Sequence, residues 1–170
     1  GHIAGEEASL YSSTVDMPLL STEYIENIKE NITAPFNRNG EGINPKELEL
    51  AIRSIVTDYV SYLKTEGMMQ KGLEKLLELK KQFLGKITAR NAHELMRCCE
   101  VQNIFDMIEM HIRASLYRTE TRMRKVGLHP HYRVDYPETD PKWEKWVVVQ
   151  KDNDGHMILS TSEVPELKEA

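Results

Sequence analysis

Between Asn44 and Arg122 apolar residues recur at i, i+3 and i+4 spacing, and beyond Arg122 that period stops. Asn44-Pro45 is a helix start: asparagine caps, proline suits the first helical position, and Glu47 follows three residues after the cap. Leu48, Ala51, Ile52, Ile55, Val56, Tyr59, Val60 and Leu63 form the stripe that follows, which predicts a helix ending near Gly67. Met69, Leu73, Leu76, Leu77, Phe83 and Leu84 mark a second amphipathic helix with lysine and glutamate on its other side and Gly85 as terminator. Asn91 then caps a third, with Glu94 three residues on. Its stripe is Leu95, Cys98, Cys99, Gln102, Phe105, Ile108, Ile112 and Leu116, widened by Met96, Val101, Ile104, Met107 and Ala114. This spacing predicts one long helix from Ala92 to Arg122. A helix apolar over more than half its circumference belongs in the middle of a bundle.

The flanks read differently. Ser21 or Thr22 can cap a short helix through Thr33, with Tyr24, Ile25, Ile28 and Ile32 on its stripe and Pro35 ending it. Asn37 to Gly42 is a loop of turn formers. The opening GHIAGEEASLYSS looks helical but has no start signal, so residues 1–20 read as the tail of an element that begins upstream. After Arg122, the run MRKVGLHPHYRVDYPETDP holds Gly127, Pro130, Pro137 and Pro141 and reads as an extended, wrapping segment. WVVVQKDNDGHMILST is a β-hairpin, with Val147–Val149 before the turn Asn153-Asp154-Gly155 and Met157–Leu159 after it. The fold class expected is mainly α: an antiparallel bundle of about three principal helices (21–122), followed by an extended segment and hairpin (123–170).

Composition narrows the function. The chain has 170 residues, 40% hydrophobic and 29% charged, as in a soluble globular domain. A net charge of -5 argues against a nucleic-acid binder, which carries a basic excess. No apolar run approaches the roughly 18 residues of a membrane span, and no signal peptide is expected ahead of the first helix. Cys98 and Cys99 are neighbours that point about 100° apart on a helix, hence poor disulfide partners and expected buried thiols of a reducing cytoplasm. His93, Glu94, Cys98 and Cys99 lie within two turns but match no zinc spacing, and no di-iron Glu-x-x-His pair occurs. No serine sits on a nucleophile elbow, and neither dinucleotide nor Walker glycine loop is present. The chain is therefore expected to carry no catalytic residue, cofactor or metal of its own.

One cluster resists that reading. Arg118, Arg122, Arg124, Lys125 and Arg133 accompany His129, His131, Tyr117 and Tyr132 on a proline-bounded stretch of an acidic protein. Arg118 and Arg122 can offset the negative end of the long helix's dipole. The remaining arginines, histidines and tyrosines have the composition of an interface to another domain or subunit.

A family resemblance bears on the same stretch. Glu120-Thr121-Arg122, then an insertion (Met123 to Pro130), then His131-Tyr132-Arg133-Val134-Asp135-Tyr136-Pro137 resembles the Glu-(Ser/Thr)-Arg-Gly-x-His-x-Arg-x-Asp-(Phe/Tyr)-Pro signature of fumarate reductase and succinate dehydrogenase flavoprotein subunits. L-aspartate oxidase shares that signature. Asp140 and Trp143 to Lys145 resemble the Asp-x-x-Trp-x-Lys that follows it. HELMRCCE (His93 to Glu100) and YRTETR (Tyr117 to Arg122) look most like the adenylylsulfate reductase α-subunit branch. IAGEEAS (Ile3 to Ser9) is similar to the small-residue helix that closes the FAD-binding domain, which would make residues 1–20 the tail of an upstream flavin domain. The resemblance implies a C-terminal domain that packs on its own upstream FAD-binding domain and faces an iron–sulfur subunit, with FAD held by the full-length parent. Interface candidates are then Arg118, Glu120, Arg122, His131, Tyr132, Arg133, Asp135, Tyr136 and Trp143. The alternative is a stand-alone helical module that binds a protein partner through Arg118–Tyr136.

Overall fold

In the computed structural model, residues 1–38, 42–122 and 131–164 are described. They belong to two units, Gly1–Ala34 and Pro35–Ala170. In the first unit, α1 (His2–Ser12) starts at Gly1 with no side-chain cap. The second helix, α2 (Thr22–Thr33), is capped as expected: the Ser21 hydroxyl accepts from the Tyr24 amide at 3.1 Å. Neither helix buries a residue.

Three helices make the second unit's core. The Asn44 carboxamide oxygen accepts from the Lys46 amide at 2.9 Å and opens α3 (Pro45–Tyr59). That helix stops well before Gly67, a correction to the predicted end. Val60 (4% exposed) leaves the helical path and turns into the core instead. Thr65 then starts α4 (Glu66–Phe83) by accepting from the Met68 amide at 3.3 Å, so Gly67 lies in the first turn of α4 and terminates nothing. Tyr59 and Val60 lie close enough to α4 that a Cβ added to Gly72 would meet the Tyr59 Cβ at 2.8 Å. Asn91 caps α5 (Ala92–Tyr117) through the Glu94 amide at 2.9 Å.

The long helix packs on α3, α4 and both strands of the hairpin, the central position its apolar breadth predicts. Leu48 and Ile52 of α3, Met69 and Leu76 of α4, and Cys98, Val101, Phe105 and Ile112 of α5 are at most 2% exposed. Each such side chain stabilises the fold by roughly 1.5–3 kcal/mol relative to exposure. The stripe is narrower than expected, however: Met96 (48%) and Met107 (64%) are exposed. Two buried carboxylates are paired: Glu49 with Arg53 at 2.6 Å and with Arg97, and Glu109 with Arg113 at 2.9 Å and Lys80 at 3.4 Å.

The hairpin forms where expected. β1 (Lys145–Lys151) pairs antiparallel with β2 (Met157–Glu163), Lys151 opposite Met157. Gly155, at φ +87°, takes the left-handed position of the turn, and its amide donates to the Asp152 carbonyl at 3.1 Å. No helix among the described residues is long and apolar enough to cross a membrane.

Candidate functional site: a polar cluster where the long helix ends

The predicted helix to Arg122 ends at Tyr117, with Arg118 in extended conformation. The reason lies in a distant residue. Arg133 is fully buried, and its Nη1 donates to the carbonyls of Ser115 at 2.9 Å, Leu116 at 3.4 Å and Arg118 at 3.1 Å. A guanidinium thus satisfies the carbonyl groups that a helix end leaves open, and its charge matches the negative pole of the helix dipole.

The other edge of the same guanidinium grips Asp135, Nε to Oδ1 and Nη2 to Oδ2, both at 2.8 Å. Asp135 also accepts from the Glu66 amide at 2.7 Å, at the positive pole of α4. The Arg133 hydrogen bonds and that amide outweigh partial burial and bring the carboxyl down to about 2. Two residues therefore join the C-terminus of α5 to the N-terminus of α4. The Val134 amide, which donates to the Lys64 carbonyl at 2.8 Å, fastens the segment between them.

Glu120 is the second centre. It is fully buried, and its carboxylate accepts from Arg118 at 2.5 Å, Arg122 at 2.7 Å and the Asp140 amide at 2.9 Å. Burial alone would raise its pKa. The bonds from Arg122, the Asp140 amide and Arg118 win, and the carboxyl lies below its ordinary range. Arg118 also donates to the carbonyls of Trp143 at 2.8 Å and Lys145 at 2.5 Å, which anchors the start of β1. Its guanidinium lies 5.3 Å from the Trp143 ring centroid. Trp143 meets Tyr117 edge-on at 5.7 Å and donates from Nε1 to the Thr119 hydroxyl at 3.1 Å.

The remaining predicted residues gather around these two centres. His131 Nε2 faces the Arg118 carbonyl at 3.3 Å, and burial, ahead of the nearby cations, pushes the imidazole down to about 4. The Tyr132 ring stacks on Tyr62 at 5.8 Å. Tyr136, 38% exposed, lies with its ring 4.8 Å from the Arg133 guanidinium. All nine interface candidates thus fall in one place, yet Glu120 and Arg133 direct their polar groups inward to this chain's own partners. The insertion Met123 to Pro130 lies outside the described residues.

Sequence reasoning missed Thr121, Lys64 and Ser115 as members. Thr121, 2% exposed, accepts from the Arg133 amide at 2.9 Å and donates to the Tyr136 carbonyl at 2.8 Å, so it pins the return of the chain. Its place within Glu-Thr-Arg was the available signal. Elsewhere, Glu94 and Cys98 serve the helix as read: Glu94 accepts from the Arg90 amide at 2.7 Å, and the Cys98 thiol is buried with its pKa raised by desolvation. Asp152, Asp154 and His156 bring ligand-type atoms within 4.8 Å of one another at the hairpin turn. The Asp152 carboxylate already accepts the amides of Asp154 at 3.0 Å and His156 at 2.7 Å, which is how this turn is built.

Chemically, the cluster is a network of internal ion pairs and hydrogen bonds that ties helix ends, the return segment and the hairpin together. Known proteins carry the same arrangement of chain. The family described as "Fumarate reductase flavoprotein C-term" matches residues 49–167. An uncharacterized FAD-dependent oxidoreductase of Methanocaldococcus jannaschii is 25% identical over 150 residues, 88% of this chain and 26% of that protein. Sdh1 of Mycobacterium smegmatis in complex with UQ1 is 26% identical, with a TM-score of 0.79 over 95% of this chain and 27% of its own. E. coli quinol fumarate reductase FrdA, with an E245Q mutation, shares the fold at 21% identity, with a TM-score of 0.75 over 98% of this chain and 29% of its own. The chain belongs to the C-terminal domain of the flavoproteins of the succinate dehydrogenase and fumarate reductase family, which are FAD oxidoreductases. It spans about a quarter of the length of the relatives it matches.

Proposed function

We propose that this chain is the C-terminal helical domain of the flavoprotein subunit of an FAD-dependent oxidoreductase, and that it acts there as a scaffold. The parent would move electrons between FAD and a small anionic substrate, a dicarboxylate or, in the adenylylsulfate reductase branch, a sulfur oxyanion nucleotide. The FAD would lie in the upstream domain, in the cytoplasm, with an iron–sulfur subunit as electron partner. The observation that carries this reading is the family match across residues 49–167, in a chain about a quarter as long as its relatives. The polar cluster supports it. Glu120 and Arg133 hold the segment rigid from within, which leaves Tyr132, Tyr136, Trp143 and the half-exposed Arg122 to meet the neighbouring domain and subunit.

The test uses the purified 170-residue chain beside the full-length protein. The chain is expected to be colourless and the full-length protein to carry flavin. Stoichiometric flavin on the chain alone overturns the proposal. Turnover of succinate or fumarate against adenylylsulfate by the full-length protein then assigns the branch.

A further inference from the structure

Lys64, in the connection between α3 and α4, is 4% exposed. Buried ammonium groups ordinarily pair with a carboxylate. Here Glu49 and Glu109 have their cations and Glu120 and Asp135 have theirs, but among the described residues no carboxylate pairs with Lys64. Burial and the neighbouring Arg133 both act against its charge.

The charge of Lys64 reaches two imidazoles, His111 of α5 and His131, and adds to burial in lowering both below their ordinary range. Those two histidines, with Ala114, Ser115, Arg118 and Val147, line a cavity of about 200 Å³. Water takes about 30 Å³ per molecule, so the space holds several waters or one small ion. Ser115 is 4% exposed, and its hydroxyl has no hydrogen-bond partner among the described residues. A buried polar group left open beside a cavity calls for an occupant. We propose that this cavity receives one phosphate-sized tetrahedral oxyanion.

Three arguments set the ligand's class. The local charge is positive, because Arg118 shares Glu120 with Arg122, Asp135 is spent on Arg133, and Lys64 has no carboxylate among the described residues, inside a chain whose net charge is -5; the overall field disfavours a polyanion while the cavity favours a compact one. The lining comes from the last turns of α5, from Arg118, from the return segment and from β1, while Lys64 acts on both histidines from outside it; groups that converge from several elements suit four oxygens better than a planar carboxylate, which one guanidinium can satisfy. Finally, His131 gives its Nε2 edge to the Arg118 carbonyl, which leaves Nδ1 to accept a proton. The charged groups around that ring are Lys64, Arg133 and Arg118, all cationic; Glu120 is held by Arg118 and Arg122. A bound oxyanion supplies the missing negative charge, so binding takes up a proton at His131.

The experiment follows the histidine imidazole signals of the 170-residue chain by NMR during titration with inorganic phosphate at fixed ionic strength, first at one pH and then over a pH series with and without phosphate. His111 and His131 are expected to shift saturably, with the pKa of His131 raised by about one to two units. The exposed His156 serves as control. Lys64→Met should weaken binding by about tenfold or more. Ser115→Ala, which leaves every charge in place, should weaken it about threefold and decides the matter if Lys64→Met does not fold. Non-saturating shifts that His156 shares would overturn the proposal. So would unchanged affinity in the folded variants, or acetate binding as tightly as phosphate.

Discussion

The core of α3, α4 and α5 and the polar cluster at the end of α5 are both buried, and they are held together in opposite ways. In the core, Phe105, Ile52, Met69 and Leu76 contribute area, and any apolar residue of similar volume contributes nearly as much. In the cluster, Arg133 is as buried as Phe105, but its contribution depends on five specific acceptor atoms from Ser115 to Asp135. Such a site is intolerant of near substitutes, because a misplaced donor leaves buried carbonyls open.

The sharpest way to break this comparison is to empty one site in each region. Phe105→Ala and Arg133→Met should each cost about 3–5 kcal/mol in urea unfolding. They should part when a second change is added. Removing Asp135 as well (Asp135→Leu) should restore less than about 1 kcal/mol, since the carbonyls of Ser115, Leu116 and Arg118 still lack a donor. Full restoration would show that Arg133 is only half of an ion pair.

Acid should divide the two regions next. His131 titrates near 4 in the fold against an ordinary 6.5, so the unfolded chain binds more protons between those values. Stability is full above pH 6.5 and falls as pH drops towards 4, by no more than about 3 kcal/mol from this group. Asp135, depressed from 3.8 to about 2, adds a further loss between those two values. In phosphate-free buffer, His131→Asn should flatten the upper window and leave the lower one; an unaltered upper window would remove His131 from the account.

Smaller effects complete the series. Thr121→Val keeps the shape of the side chain and removes its hydroxyl, and should cost about 1–2 kcal/mol. Met107→Ala, on the exposed flank of α5, should change stability by less than about 0.5 kcal/mol. A larger loss at Met107 in the isolated chain would mean that this flank is covered.

The core was legible because periodicity is a local signal. The Asn44 and Asn91 caps and the stripes of α3, α4 and α5 all lie within a few residues of what they organise. Legibility failed where the deciding partner was far along the chain. Neither glycine nor proline follows Tyr117 before Arg122, and only Arg133, arriving from the return segment, shows why the helix stops there. The break at Val60 was hidden by Gly67, which resembled a terminator while Thr65 was the true start. In the site, composition singled out Arg118, Arg122, His131, Tyr132 and Arg133 and the resemblance added the other candidates, but neither showed where their polar groups turn. Lys64 and Ser115 carried no motif, and their membership depends on burial and on the backbone carbonyls that accept from Val134 and Arg133.

The joint made by Arg133 and Asp135 has a mechanical consequence. Because it grips the last carbonyls of one helix and the first amide of another, neither end can fray alone. Hydrogen exchange at the Glu66 amide should therefore track the return segment and the final turn of α5 as one opening unit. A force applied at Tyr132 or Tyr136 would therefore act on two helices at once, as on a stiff lever.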